Sequence, residues 1–219
     1  MFGNGSVRTE ATIVGILLAA GSAARYGGQK LLEPLPDGTP IAIAALRTLL
    51  RVLPRVVAVV NAEDETLAEM LAAEGAVIVT CSDCAHRMGR SIAAGVSTAS
   101  EAEGWLVALA DMPFVRPETI SIVARRLGNG AVICAPCYRG QRGHPVGFAA
   151  CFHEELLAIR GDTGARGIID RNIASLDLCE CDDAGVLRDI DTPADLRDPQ
   201  SHLLSARKPG ADVPDSAEQ

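Results

Sequence analysis

The chain has 219 residues, of which 48% are hydrophobic and 22% charged, the composition of a globular protein with a sizeable core; disordered, collagen-like and coiled-coil architectures are excluded. Aromatic residues make up only 3% and the formal net charge is -8, which offers neither stacking platforms nor a basic field for a nucleic-acid polymer. A small anionic substrate would have to be held by local cations, backbone N–H groups or a metal ion, against the overall field.

Residues 1–10 and 197–219 carry polar, Gly and Pro residues without apolar period and read as tails around a domain at 11–196. The longest apolar stretch, Ala11 to Ala20, is short of the roughly 20 residues that cross a bilayer, so no membrane partner is expected. Arg8, that stretch and the small residues Gly21 to Ala24 loosely imitate a signal peptide. Against this, the run is β-branched and ends in Gly. The seven cysteines are odd in number, so they cannot all pair within the chain, and a reducing cytoplasm is the expectation.

In chain order, Ile13 to Ala19, Val56 to Asn61, Val77 to Thr80, Trp105 to Ala110 and Ala131 to Ala135 read as strands, and 40–53, 64–74, 90–99 and 117–127 as helices. The strands lack alternation, as when helices cover both faces. Strand–helix alternation implies βαβ units, hence a three-layer α/β/α sandwich on a mostly parallel sheet. Pro117 with Glu118 marks a first helical turn, where a missing N–H costs nothing and an acid suits the dipole. In such sheets ligands bind beyond the carboxyl ends of the strands.

The first strand runs into Leu18-Ala19-Ala20-Gly21-Ser22-Ala23-Ala24-Arg25-Tyr26-Gly27-Gly28-Gln29-Lys30. Small side chains there let amides approach phosphate, while Arg25 supplies a planar fork and Lys30 a mobile point charge. The spacing fits neither a P-loop nor G-x-G-x-x-G, and an ordinary strand-to-helix connection is the bland alternative. Asp111, in Leu109-Ala110-Asp111-Met112-Pro113, stands at the end of a buried strand, a place that suits Mg²⁺ or an Asx-type turn. Asp191, in Asp189-Ile190-Asp191-Thr192-Pro193-Ala194-Asp195, reads first as a helix cap and second as a further cation ligand.

The loop Tyr138 to Phe148 carries Arg139, Arg142 and His144 and could grip a second anion, or be a surface hairpin. Met88-Gly89-Arg90-Ser91 and Gly161-Asp162-Thr163-Gly164-Ala165-Arg166 precede helical segments whose N-termini attract phosphate or polar base edges. The spacings Cys81/Cys84 and Cys134/Cys137 could together make a four-sulfur zinc site with His86 as a spare ligand. Free thiols, buried or half-buried, are the expectation.

Taken in order, these segments resemble the nucleotidyltransferases that include the molybdenum cofactor guanylyl- and cytidylyltransferases. Leu18 to Lys30 is similar to the L-A-A-G-x-S/x-x-R-M-G-x-x-K signature, with Tyr26 in place of Met. Met88 to Ser91, Leu109 to Pro113, Gly143-His144-Pro145, Gly161 to Arg166 and Asp189 to Pro193 follow in the family's order. Ala-Ala-Gly resembles the cytidylyl branch, whereas the guanylyl branch reads Ala-Gly-Gly.

The resemblance implies a Rossmann-like nucleotidyltransferase fold and Mg²⁺-dependent transfer from CTP to the terminal phosphate of molybdenum cofactor, giving the cytosine dinucleotide form and pyrophosphate. It implies Arg25, Lys30 and Asp111 as catalytic residues. Nucleotide binding falls to Leu18, Ala19, Ala20, Gly21, Ser22, Arg25, Lys30, Met88, Gly89 and Ser91, acceptor binding to His144 and Arg166, and Mg²⁺ to Asp111 and Asp191. A client molybdoenzyme or its chaperone would receive the product. Two alternatives stand beside this: a cytidylyltransferase for a sugar or alcohol phosphate, and a non-catalytic molybdenum cofactor-binding chaperone. Tyr26 is bulkier than Met, and Cys81 and Cys84 before Met88 answer to no family requirement.

Overall fold

The computed structural model describes residues 12–21, 29–84 and 87–197. The expected tails at 1–10 and 197–219 lie outside the described residues, apart from residue 197, as do Ser22, Arg25, Tyr26 and His86. In chain order the elements are β1 (Ile13–Ala19), α1 (Ile41–Leu50), β2 (Val56–Asn61), α2 (Glu65–Ala73), β3 (Val77–Cys81), α3 (Met88–Thr98), β4 (Gly104–Leu109) and α4 (Pro117–Gly128). There follow β5 (Ile133–Tyr138), β6 (Gln141–Arg142), β7 (Val146–Ala149), α5 (His153–Leu157), α6 (Arg166–Arg171), β8 (Leu176–Glu180) and α7 (Pro193–Arg197).

The strands form one eight-stranded sheet in the order β3-β2-β1-β4-β7-β5-β6, with β8 on β5. The run β3-β2-β1-β4 is parallel, as is β5 with β8, while β7 joins β4 and β5 antiparallel. β1 is buried along its whole length, and its side chains go alternately to two cores. Ile13, Leu17 and Ala19 pack with Leu46 and Leu49 of α1 and Ile120 and Val123 of α4. Val14, Ile16 and Leu18 pack with Ile92 and Val96 of α3 and Ile168 of α6. Apolar residues at every position are what a strand between two helical layers requires, and the expected three-layer α/β fold is the one observed.

Local sequence explains the element ends. α4 begins with Pro117, whose missing N–H costs nothing there, and carries Glu118 in its first turn and Arg125 and Arg126 in its last, charges that suit both ends of the helix dipole. α3 begins at Met88, two residues before the expected start at 90, so Met88 to Ser91 form its first turn. β5 runs past the expected stop at Ala135. It changes neighbour at Pro136, from β7 at Ile133 and Cys134 to β6 at Cys137 and Tyr138, so the proline interrupts no ladder on that edge. The β5–β6 turn places Arg139 at φ 51° and Gly140 at φ 77°, the pair of positive φ angles that matches the twist of a two-residue hairpin.

The cysteines depart from expectation. Cys81 and Cys84 are joined in a disulfide with Cα atoms 5.5 Å apart, because the turn leaving β3 brings them within bonding reach. Cys134, Cys137 and Cys179 are free and buried. A four-sulfur site is excluded, since β2, β1, β4 and β7 stand between β3 and β5 and strand spacing puts the two pairs on the order of 20 Å apart.

α3 lies so close to β1 that a Cβ on Gly95 would sit 2.4 Å from Ile16 Cγ2. Gly95→Val is expected to cost about 1–3 kcal/mol through overpacking, read as a lower urea midpoint at unchanged slope. An unchanged midpoint would contradict this contact.

Candidate active site

β1 and β4 are neighbours, yet the connections after them diverge, β1 leading through α1 to β2 and β4 leading through α4 to the antiparallel part of the sheet. Such a divergence opens a crevice at the carboxyl ends of the strands. Leu18, Ala19 and Ala20 are buried there, Gly21 is exposed, and the Ala110 amide donates to Leu18 O at 3.0 Å, locking the two strand exits together.

Three side chains distant in sequence meet at this crevice. Lys30 Nζ donates to Asp111 Oδ2 at 2.8 Å and lies 3.5 Å from Asp191 Oδ1, with its side chain only 12% exposed. Lys30 opens a short 3-10 turn, Lys30–Leu32, whose Leu31 and Leu32 pack on the α1 core and so fix where the ammonium emerges. Asp111 follows β4 by two residues. The Ile190 amide donates to Asp111 O at 2.9 Å, which carries Asp191 to the same place.

Two further acids position that last segment. Asp195 Oδ2 accepts from the amides of Asp191 at 2.9 Å and Thr192 at 2.7 Å, so the cap at α7 is supplied by Asp195 while the Asp191 carboxylate faces Lys30. Upstream, the buried Asp183 accepts from the Thr119 hydroxyl at 2.6 Å, the Arg116 amide at 2.9 Å and the Gly185 amide at 3.0 Å. It therefore pins the strap 182–190 to the start of α4. Sequence reasoning missed Asp183, because Cys-Asp-Asp looks like a solvated acidic turn; an acid followed two residues later by Gly was the available signal for an Asx turn.

Donor chemistry fits a hard divalent ion. Two carboxylates from separate segments already share one cationic group, and oxygen donors of this kind suit Mg²⁺ or Mn²⁺.

The remaining expected residues divide between the two faces of the sheet. Met88 is 41% exposed, Ser91 is buried, and Gly89 donates its amide to Gly161 O at 3.1 Å. A Cβ at Gly89 would come within 2.4 Å of Ile159 Cγ2, so the first turn of α3 is clasped by the loop leading to α6. Arg166 opens α6 on that side, exposed, with Nε 3.9 Å from Asp170. His144 lies on the other side, lining a small apolar cavity with Thr48, Leu49, Met112 and Pro145. Its amide donates to Val186 O at 2.9 Å, and its buried Nδ1 has no partner among the described residues. Burial first, then Arg142, push its imidazole below the usual histidine range, and the Asp111 charge opposes them. His144 and Arg166, both expected at the acceptor, thus lie on the sides of different cores.

The fold is that of a nucleotidyltransferase. The chain belongs to the MobA-like NTP transferase domain family, whose profile matches residues 15–176. Nicotine blue oxidoreductase of Paenarthrobacter nicotinovorans is 31% identical over 82% of this chain and 92% of its own length. A nucleotidyl transferase from Methanothermobacter superposes with a TM-score of 0.74 at 20% identity, over 90% of this chain and 99% of its own. Rv0371c of Mycobacterium tuberculosis H37Rv, solved in complex with manganese, gives a TM-score of 0.72 at 24% identity, over 90% of this chain and 100% of its own.

Replacing Asp183 by Ala strands three donors around a buried site, and unfolding in urea is expected to show a loss of roughly 2–4 kcal/mol. A loss below about 0.5 kcal/mol, the range of ordinary surface substitutions, would show that Asp183 does not anchor the strap.

Proposed function

We propose that this enzyme transfers the cytidylyl group of CTP to the terminal phosphate of molybdenum cofactor, forming the cytosine dinucleotide and pyrophosphate. The observation that carries the reading is the meeting of Lys30, Asp111 and Asp191 at the β1–β4 crevice, beside the Gly21 exit of β1. A terminal phosphate oxygen of the acceptor attacks the α-phosphorus while the bond to pyrophosphate breaks in line, and no protein nucleophile is needed.

In this reading Leu18 to Gly21 border the nucleotide, and Lys30 holds charge developing around the α-phosphorus. For Ser22 and Arg25, outside the described residues, contact with the nucleotide is what the family resemblance implies. Asp111 and Asp191 would hold a divalent cation, Mg²⁺ by expectation, which when bound neutralises triphosphate charge; the manganese complex of the Mycobacterium tuberculosis neighbour supports a metal of this class. Met88 and Ser91, in the first turn of α3, border the base, with Gly89 holding that turn against the Gly161 loop. His144, within the field of Asp111, faces the acceptor side. Arg166 starts on the α3 side, so its proposed acceptor contact would have to come from across the crevice.

The name of the Paenarthrobacter nicotinovorans relative supports a second reading, oxidoreductase chemistry in the same pocket. A panel of nucleoside triphosphates with molybdenum cofactor and Mg²⁺, followed by pyrophosphate release, separates the two. Release with CTP is the expected result, and no release with any triphosphate and acceptor would remove the nucleotidyl-transfer reading. Release only with a sugar or alcohol phosphate would reassign the acceptor, and stoichiometric cofactor binding without release would identify a carrier. Lys30→Ala and Asp111→Ala should each keep the fold and lose at least roughly 10²-fold in turnover, the effect of removing one preorganised electrostatic group; near-normal turnover in either contradicts the assignment.

A further inference from the structure

The Cys81–Cys84 disulfide has a sequence separation of three and lies at the exit of the edge strand β3. A cross-link this short removes little freedom from the unfolded chain and ties no two elements together. Its effect is local, and the local structure it touches is the start of α3. The Arg87 amide donates to Cys84 O at 3.0 Å. Asp83, inside the ring, is paired with Arg90 and lies 3.8 Å from Arg87, one residue on the helix cap and one in the first turn. Cys84 is buried against the α3 core at 2% exposure, whereas Cys81 is half-buried and open to attack.

We propose that Cys81 and Cys84 form a reversible dithiol–disulfide site whose oxidised state holds Asp83 on Arg87 and Arg90 and so fixes the first turn of α3 against the nucleotide. The exchange partner is a dithiol. One of its thiolates attacks Cys81 Sγ, the Cys84 thiolate leaves and takes a proton, and a mixed disulfide remains. The second thiolate of the partner then attacks its own sulfur in that mixed disulfide, releasing Cys81 as a thiolate that is protonated. The partner loses two electrons and ends as a disulfide; the enzyme gains them. Opening the ring frees Asp83 from its fixed direction, loosens the turn carrying Met88 to Ser91 and weakens nucleotide binding. The last step rests on the proposed placement of the nucleotide beside α3.

The test uses the full chain oxidised with glutathione disulfide or reduced with dithiothreitol, thiols being counted by alkylation and mass. CTP with Mg²⁺ is titrated into both forms, and amide exchange is followed at residues 87–91. Reduction should raise the CTP Kd by three- to tenfold, reversibly, and speed exchange there, and Cys81→Ser should show the reduced-form values in both buffers. A Kd equal within twofold together with unchanged exchange overturns the switch and leaves the nucleotide site standing. Exchange that responds while CTP binds neither form upholds the switch as a local device and overturns the nucleotide assignment. A stoichiometric zinc ion on the two sulfurs, with no disulfide in the purified protein, would also overturn it.

Discussion

One ammonium held between two carboxylates organises the crevice. Lys30 and Asp111 are 81 positions apart in sequence, and Asp191 arrives from the far end of the fold, yet Nζ stands 2.8 and 3.5 Å from their oxygens. Each acid is carried by a different device: Asp111 by the end of β4, Asp191 by a strap pinned at Asp183 and capped by Asp195. Lys30 satisfies both while it is itself nearly buried, where an unpaired charge would be costly. An acidic protein can in this way hold an ammonium and two carboxylates together at the strand ends.

The two faces of the sheet divide the labour around that centre. On the α3 face, Met88 to Ser91 and the Gly161 to Arg166 loop press together so closely that Gly89 has no room for a side chain. On the α1 and α4 face, His144 stands against Thr48, Leu49 and Met112, with burial favouring its neutral form. β1 and β4 separate these halves and meet both. A nucleotide on one side and its acceptor on the other would share only the crevice between the strand ends, where in-line attack has to occur.

The sequence made the parallel half of the fold legible because β1, β2 and β4 are unbroken apolar runs, and Pro117 marks α4 as only a helix start does. Asp111 was legible as an acid at a strand end. Asp191 was ambiguous, since the same residues write a cap and a ligand, and the roles part only when Asp195 takes the two amides. Pro136 hid the second half of β5, because a proline ends most ladders and nothing local tells that the neighbour changes there. Cys81 and Cys84 could be thiols, ligands or a disulfide from spacing alone; the turn after β3 decides. For Asp183 only the local turn to Gly185 was legible, because its other two donors, from Arg116 and Thr119 at the start of α4, lie 67 and 64 positions away.

Whether Lys30, Asp111 and Asp191 serve one nucleotide is decided by a crystal structure with Mn²⁺ and a non-hydrolysable CTP analogue. Anomalous density for the metal is expected to touch both the Asp111 and Asp191 carboxylates, with Lys30 Nζ in hydrogen-bond contact with the α-phosphate. A triphosphate bound elsewhere on the molecule, with the Lys30–Asp111 pair undisturbed and no metal on either acid, would contradict it.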